Sequence, residues 1–371
     1  MGSHRLLEKF DELRKHKLQI PAAKHGVVIL VDPPSAHYHK NIFFDLKTPL
    51  NRDNTLRANF NLKAKLEGAG YPVFTADCYD SIASQYLGCE FHYWSFGAPA
   101  VQALAFSGTN VKKVGVALFE PPLVKPLDYE KIELLAADFD HVYLHNVIGD
   151  GYKLPSSQLS KKIVKFYWTN KNFDNSYAES GKEKRLAKIA LICGAHFAKA
   201  QPDNGYGKRL SAIKISGFKG DLDLFGFGWR KFQIRSPFSS LYWSVKLWMA
   251  NEIVPKPDRK SDVYRRYDFA LCFENMAMSG YITEKIFDAL FAKSIPIYWG
   301  APDIADYIPS NCFIALDHFD SIEACFNYCR NLTQSEKAGF RKSIESFLNS
   351  QEFAKFETGI HGLILNRYKV V

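Results

Sequence analysis

Short apolar runs alternate with helical stretches twice along this chain, and that rhythm constrains the fold more than any other feature. "GVVILV" predicts a buried strand, "NTLRANFNLKAKLEGAG" a helix closed by glycine, and "YPVFTA", "VKKVGVALFE" and "DHVYLHN" further strands. Strands joined by crossover helices imply a parallel sheet. Between Gly151 and Lys184 the rhythm lapses into "GYKLPSSQLSKK" and "TNKNFDNSYAESGKEK", polar and turn-rich around the aromatic "FYW", and a domain link is expected there. It restarts with the strand "LAKIALICGAH", a turn into a helix at "GYGKRLSAIKISG", and the strands "LDLFGFG", "YDFALCFEN" and "SIPIYWG". Two helical stretches, "SIEACFNYCRNL" and "SEKAGFRKSIESFLNS", close this second half. The expected fold class is α/β, with two similar halves.

The 371 residues suffice for two domains, each with its own core. A hydrophobic fraction of 47% with 15% aromatics marks a globular chain, and no run reaches the roughly 18 apolar residues that span a bilayer. The start "MGSHRLLEKF" lacks the apolar core of a signal peptide, and Gly2-Ser3-His4 reads as a cloning remnant that hides the native terminus. Seven cysteines, several inside apolar runs, point to a reducing compartment. Cys325 and Cys329 share a helix face, but no His or second Cys pair completes a metal set, so core packing is expected. A net charge of +9 favours anionic partners: nucleotides, phosphorylated sugars, nucleic acid or anionic membrane surfaces. The basic groups "KEKRLAK", "KPDRK" and "YRRY" form no nucleic-acid module, which disfavours nucleic acid.

The densest polar cluster sits at the mouth of an apolar helix in "FENMAMSGYITEKIFDALFAKSIPIYWGAPDI", Phe273 to Ile304. Ile286, Ala289 and Leu290 form the buried stripe, while Thr283, Glu284 and Lys285 stand at the helix entrance. A cation there opposes the helix dipole. An anion such as a diphosphate between Lys285 and the helix end would resolve the conflict, and Glu284 suits ribose hydroxyls. A plain N-cap with solvated neighbours fits the periodicity equally well. In the first half, Glu120 ends an apolar strand and two prolines stop that strand, which leaves the carboxylate at its carboxyl edge.

The stretch from Phe273 to Pro302 resembles the donor-binding region of the α1,3-fucosyltransferases, glycosyltransferase family 10. The shared pattern is F-E-N, five residues, Y-[IV]-T-E-K, then a helix and P-[IV]-x-x-G. The resemblance covers the C-terminal half well and the N-terminal half weakly. It implies contacts to GDP-fucose from Asn275, Tyr281, Glu284 and Lys285, and pyrophosphate binding by Arg209 in "CGAHFAKAQPDNGYGKRLSAIKIS", with Lys208 its rival by register. It also implies that Glu120 in "EPP" is the general base. Asp221 and Asp223 in "DLDLF" imitate a metal-binding D-x-D but read as scaffold.

The implied architecture is two Rossmann-like domains facing a cleft, a GT-B-like fold. An acceptor-binding domain is expected over residues 1–165, a GDP-fucose-binding domain over 166–350, and a tail over 351–371 that packs back on the first domain. The implied reaction is inverting transfer of L-fucose to an acceptor oligosaccharide or glycoconjugate, α1,3 to GlcNAc or Glc. No organic cofactor is required, and a divalent metal at most stimulates. Peripheral membrane association fits a bacterial source, and a Golgi lumen a trimmed eukaryotic one. Tyr93, Trp94 and Trp168 are the aromatic candidates for acceptor contact.

Overall fold

The computed structural model describes residues 20–98, 106, 109–169, 185–216, 220–229, 231, 233–249 and 259–370. Both halves are α/β units around parallel sheets. The first sheet has six strands: β1 (Val27–Asp32), β2 (Val73–Thr75), β3 (Glu90–Phe96), β4 (Val111–Ala117), β5 (His141–Leu144) and β6 (Ile163–Lys165), in the order β2-β1-β3-β4-β5-β6. The second has five: β7 (Leu186–Ile192), β8 (Leu222–Phe225), β9 (Tyr267–Phe273), β10 (Ile295–Trp299) and β11 (Ile314–Ala315), in the order β11-β10-β9-β7-β8. Every strand pair among the described residues is parallel. This arrangement of two Rossmann-like sheets is GT-B-like.

Parallel strands are covered on both faces, which is why they read as continuous apolar runs. All seven residues of β9, Asp268 included, are buried. Lys337 and Arg341 hold the Asp268 carboxylate there. In each sheet the chain reverses direction next to its first strand, between β1 and β3 and between β7 and β9. Such reversal points splay the loops at the strands' carboxyl ends and open a crevice there.

One strand falls inside the segment read as a link. Strand β6 pairs with β5 through Val142 and Ile163, so the first sheet continues well beyond Gly151. Residues 170–184 of that segment lie outside the described residues. The C-terminal helix returns to the first half: its Ile360 and Ile364, with Tyr368 beyond its end, pack in the cluster that contains Trp94 and, from helix α1 (Arg57–Gly68), Leu62 and Leu66. No helix among the described residues is long and apolar enough to cross a membrane.

Candidate active site

A cavity of about 330 Å3 opens at the reversal point of the second sheet, between the carboxyl ends of β7 and β9. Its walls bring together Glu120, Arg209, Asn275, Tyr281, Glu284 and Lys285, every one of the expected site residues. Lys208 points elsewhere, its ammonium 4.9 Å from the Trp299 ring centroid. One residue along a helix turns the side chain by about 100°, enough to separate the rival cations.

Helix α2 (Gly205–Ser216) carries Arg209, and its first residue explains how the guanidinium reaches the site. A Cβ on Gly205 would lie 1.6 Å from the Glu274 carbonyl oxygen, so only glycine lets α2 start against the loop after β9. Arg209 is buried and donates to the Phe273 carbonyl and, at 3.1 Å, to Asn275 Oδ1. Asn275 in turn donates from Nδ2 to Glu120 Oε2 at 3.4 Å. The amide therefore links a cation of the second half to the carboxylate of the first.

Helix α4 (Glu284–Phe291) starts at the cap residue Thr283, whose Oγ1 accepts from the Lys285 backbone N–H. Sequence reasoning missed the group beneath it, Glu274, which is fully buried. Its Oε1 accepts from the Thr283 backbone N–H at 2.8 Å, and its Oε2 accepts from Lys285 Nζ at 2.9 Å. A carboxylate at a helix N-terminus complements the dipole. It also resolves the conflict expected of a cation there, with no ligand needed. The ammonium gives a second hydrogen bond to Thr283 Oγ1 at 2.8 Å, which leaves one of its three N–H bonds for an anion.

Two buried oxygens on residues that line this cavity make no hydrogen bond within the protein: Glu284 Oε2 and the hydroxyl of the fully buried Tyr281. An unsatisfied buried polar group costs about 1–3 kcal/mol, so a ligand hydroxyl or amide gains by meeting them. Burial alone would raise the Glu284 carboxyl, but the Lys285 and Lys260 ammonium groups outweigh it and hold the acid ionised. Lys260 belongs to the basic group "KPDRK", which on sequence alone reads as solvated surface. It instead lines the cavity, donates to Asp288 Oδ2 at 2.9 Å, and is tied to the first half where its backbone N–H meets Asp53 Oδ1 at 2.8 Å.

Glu120 lies three residues beyond β4, on the opposite wall. Burial pushes its carboxyl above the ordinary range, Lys285 pulls it back, and Glu284 adds to the rise. The loop between β9 and α4 is stitched to both halves. Ser279 donates to Asp150 Oδ2 at 2.7 Å and its carbonyl accepts from Asn146 Nδ2 at 2.9 Å, while Gly280 donates to Asp303 Oδ1 at 2.7 Å. Tyr281 packs edge-on against His145, which burial holds neutral with a pKa of about 3.

Of the aromatic candidates for acceptor contact, only Trp168 lines the cavity. Tyr93 and Trp94 belong to the first core, where the Tyr93 hydroxyl donates to Asp32 Oδ2 at 2.6 Å and Trp94 Nε1 to the Tyr368 hydroxyl at 3.0 Å. A central strand of a covered sheet leaves no face for aromatic display. Asp221 and Asp223 stand at edge strand β8, outside the cavity. Asp221 meets Arg330 at 3.5 Å, and Asp223 meets Lys188 at 3.0 Å and the Tyr267 hydroxyl at 2.7 Å.

Known proteins resemble this chain in fold and, over shorter stretches, in sequence. A solved glycosyltransferase structure from Rickettsia africae aligns over 92% of this chain and 97% of its own, at 13% identity and a TM-score of 0.51, a likeness of fold. An α-(1,3)-fucosyltransferase of Helicobacter pylori is 36% identical over 91 residues, which is 24% of this chain and 19% of that protein. A GDP-fucose protein O-fucosyltransferase 3 of Canis lupus familiaris is 37% identical over 76 residues, 20% of this chain and 16% of that protein. The aligned stretches thus span about a fifth of these curated relatives. Residues 243–342 match the family model described as glycosyltransferase family 10 (fucosyltransferase) C-term. The matched segment, which carries Asn275, Tyr281, Glu284 and Lys285, is thus similar to the C-terminal part of glycosyltransferase family 10.

Proposed function

We propose that the chain transfers L-fucose from GDP-fucose to a hydroxyl of an acceptor glycan with inversion at the anomeric carbon, α1,3 to GlcNAc or Glc. One observation carries this reading. The contact chain Arg209–Asn275–Glu120 sets a cationic wall and a raised-pKa carboxylate on opposite sides of one cavity. The similarity to a GDP-fucose protein O-fucosyltransferase supports the donor class.

In this reading the donor diphosphate meets the free N–H groups of Arg209 and Lys285, and the ribose hydroxyls meet the orphaned Glu284 oxygen. Glu120 accepts the proton of the acceptor hydroxyl as that oxygen bonds to the anomeric carbon. The bond from that carbon to the diphosphate breaks on the opposite face, through an oxocarbenium-like transition state. Charge then grows on the departing diphosphate, where preorganised cations count most. An arginine fork suits two phosphate oxygens at once. The reaction needs no organic cofactor, and the cations substitute for a required metal.

Titration calorimetry with a nucleotide panel tests the donor class. GDP is expected to bind at least tenfold more tightly than UDP or ADP, and EDTA to leave that binding unchanged. Equal or tighter UDP binding would favour a transferase of another nucleotide sugar. GDP binding without turnover on any glycan would favour a nucleotide- or glycan-binding protein.

A further inference from the structure

Helix α3 (Pro237–Met249) is fastened to the second half along one side only. Trp243 is buried against Trp229 with ring centroids 6.2 Å apart, and buried Ser240 accepts from the Gln233 backbone N–H at 3.1 Å. Among the described residues the other side is exposed. Phe238 is 86% exposed, Leu241 57%, Tyr242 52% and Val245 44%, and Ile234 just before the helix is 88% exposed. Positions i, i+3, i+4 and i+7 form one stripe, so these side chains make a contiguous apolar face and not scattered exposures.

From Leu224 to Asn251 the sequence contains Arg230, Lys231, Arg235 and Lys246 and no Asp or Glu. Lys231 and Arg235 are exposed beside the apolar stripe. The carboxylates just upstream, Asp221 and Asp223, are already paired with Arg330 and Lys188. A two-fold contact between copies through this face would set the exposed Lys231 and Arg235 against a second basic face, because such an interface is self-complementary. An anionic lipid surface offers what the face lacks: acyl chains for the stripe and phosphate charge for the cations.

We propose that α3 and the preceding segment form a docking face for an anionic membrane surface, with Phe238 and Leu241 inserted at the headgroup boundary and Lys231 and Arg235 at phosphate level. The proposal stands apart from the transfer reaction, since none of these side chains lines the cavity.

Co-sedimentation of the full chain with vesicles tests it. Binding is expected to vesicles that mix phosphatidylglycerol with phosphatidylcholine, to weaken with added salt, and to be much weaker on phosphatidylcholine alone. Phe238→Ser with Leu241→Ser should lower the partition coefficient by about tenfold or more. Lys231→Glu with Arg235→Glu should abolish the preference for the anionic lipid. Unchanged melting and GDP affinity in both variants would show that fold and site are intact. Absence of binding to the anionic vesicles, equal binding by the serine variant, or equal binding to neutral vesicles would overturn the proposal. So would a dimer in sedimentation velocity that the serine variant abolishes, which would assign the face to a second copy.

Discussion

Glu120→Gln is expected to lower fucosyl transfer by roughly 10² to 10⁴, the usual contribution of a positioned general base, while GDP affinity stays within a few-fold of the parent. The substitution preserves shape, and the glutamine oxygen still accepts from Asn275 Nδ2, so the bridge to Arg209 survives. What is lost is the proton acceptor. The pH profile gives an independent signature. The base works only when ionised, and burial raises its folded-state pKa, so activity falls as pH drops through a value above the ordinary glutamate figure of about 4.3. Transfer rates measured against pH should show that acid limb in the parent and its absence in the residual activity of the variant. Near-normal transfer by Glu120→Gln would make Glu120 a strand-end charge. A collapse of GDP affinity would place the donor on the wrong wall.

Lys285→Ala is expected to damage both stability and donor binding. In the sequence Lys285 stands at the helix entrance outside the apolar stripe, where its removal is expected to leave the fold intact. The structure corrects this, because Lys285 neutralises the buried Glu274 at 2.9 Å. Breaking a buried pair by removing one partner costs about 3–5 kcal/mol, which lowers the melting temperature by roughly 4–6 °C in a protein of this size. Donor binding should weaken in parallel, since the ammonium also faces the cavity. The double variant Glu274→Gln with Lys285→Met separates the two roles. It removes both charges and keeps an acceptor for the Thr283 N–H, so it should melt near the parent yet bind GDP as weakly as Lys285→Ala. Thermal shift with and without GDP reads both effects. If Lys285→Ala melts and binds like the parent, the ion pair contributes to neither.

The parallel sheets were legible because covered strands leave unbroken apolar runs, and helix α4 because Ile286, Ala289 and Leu290 repeat at helical spacing. Strand β6 was not. Ile163–Lys165 is three residues long, and its partly buried pattern carries no more signal than the polar segment around it. At the site, residues chosen by motif position did converge on one cavity. The interior that supports them was hidden, since a charged residue is rarely fully buried and Glu274 gives no local sign that it is. A cation at the start of α4 was the available clue, because it demands a nearby carboxylate as readily as a bound anion. Lys260 was concealed for a similar reason: in "KPDRK" it looks solvated, and only the fold brings it to Asp288.

The most direct measurement is the NMR anomeric assignment of the product formed from GDP-fucose and an acceptor glycan ending in GlcNAc or Glc. The account predicts fucose on an acceptor hydroxyl, in the anomeric configuration opposite to that in the donor, with one GDP released per fucose transferred. Retained configuration, or hydrolysis of the donor with no fucose on any acceptor, would contradict the role assigned to Glu120 and the direct displacement across the cavity.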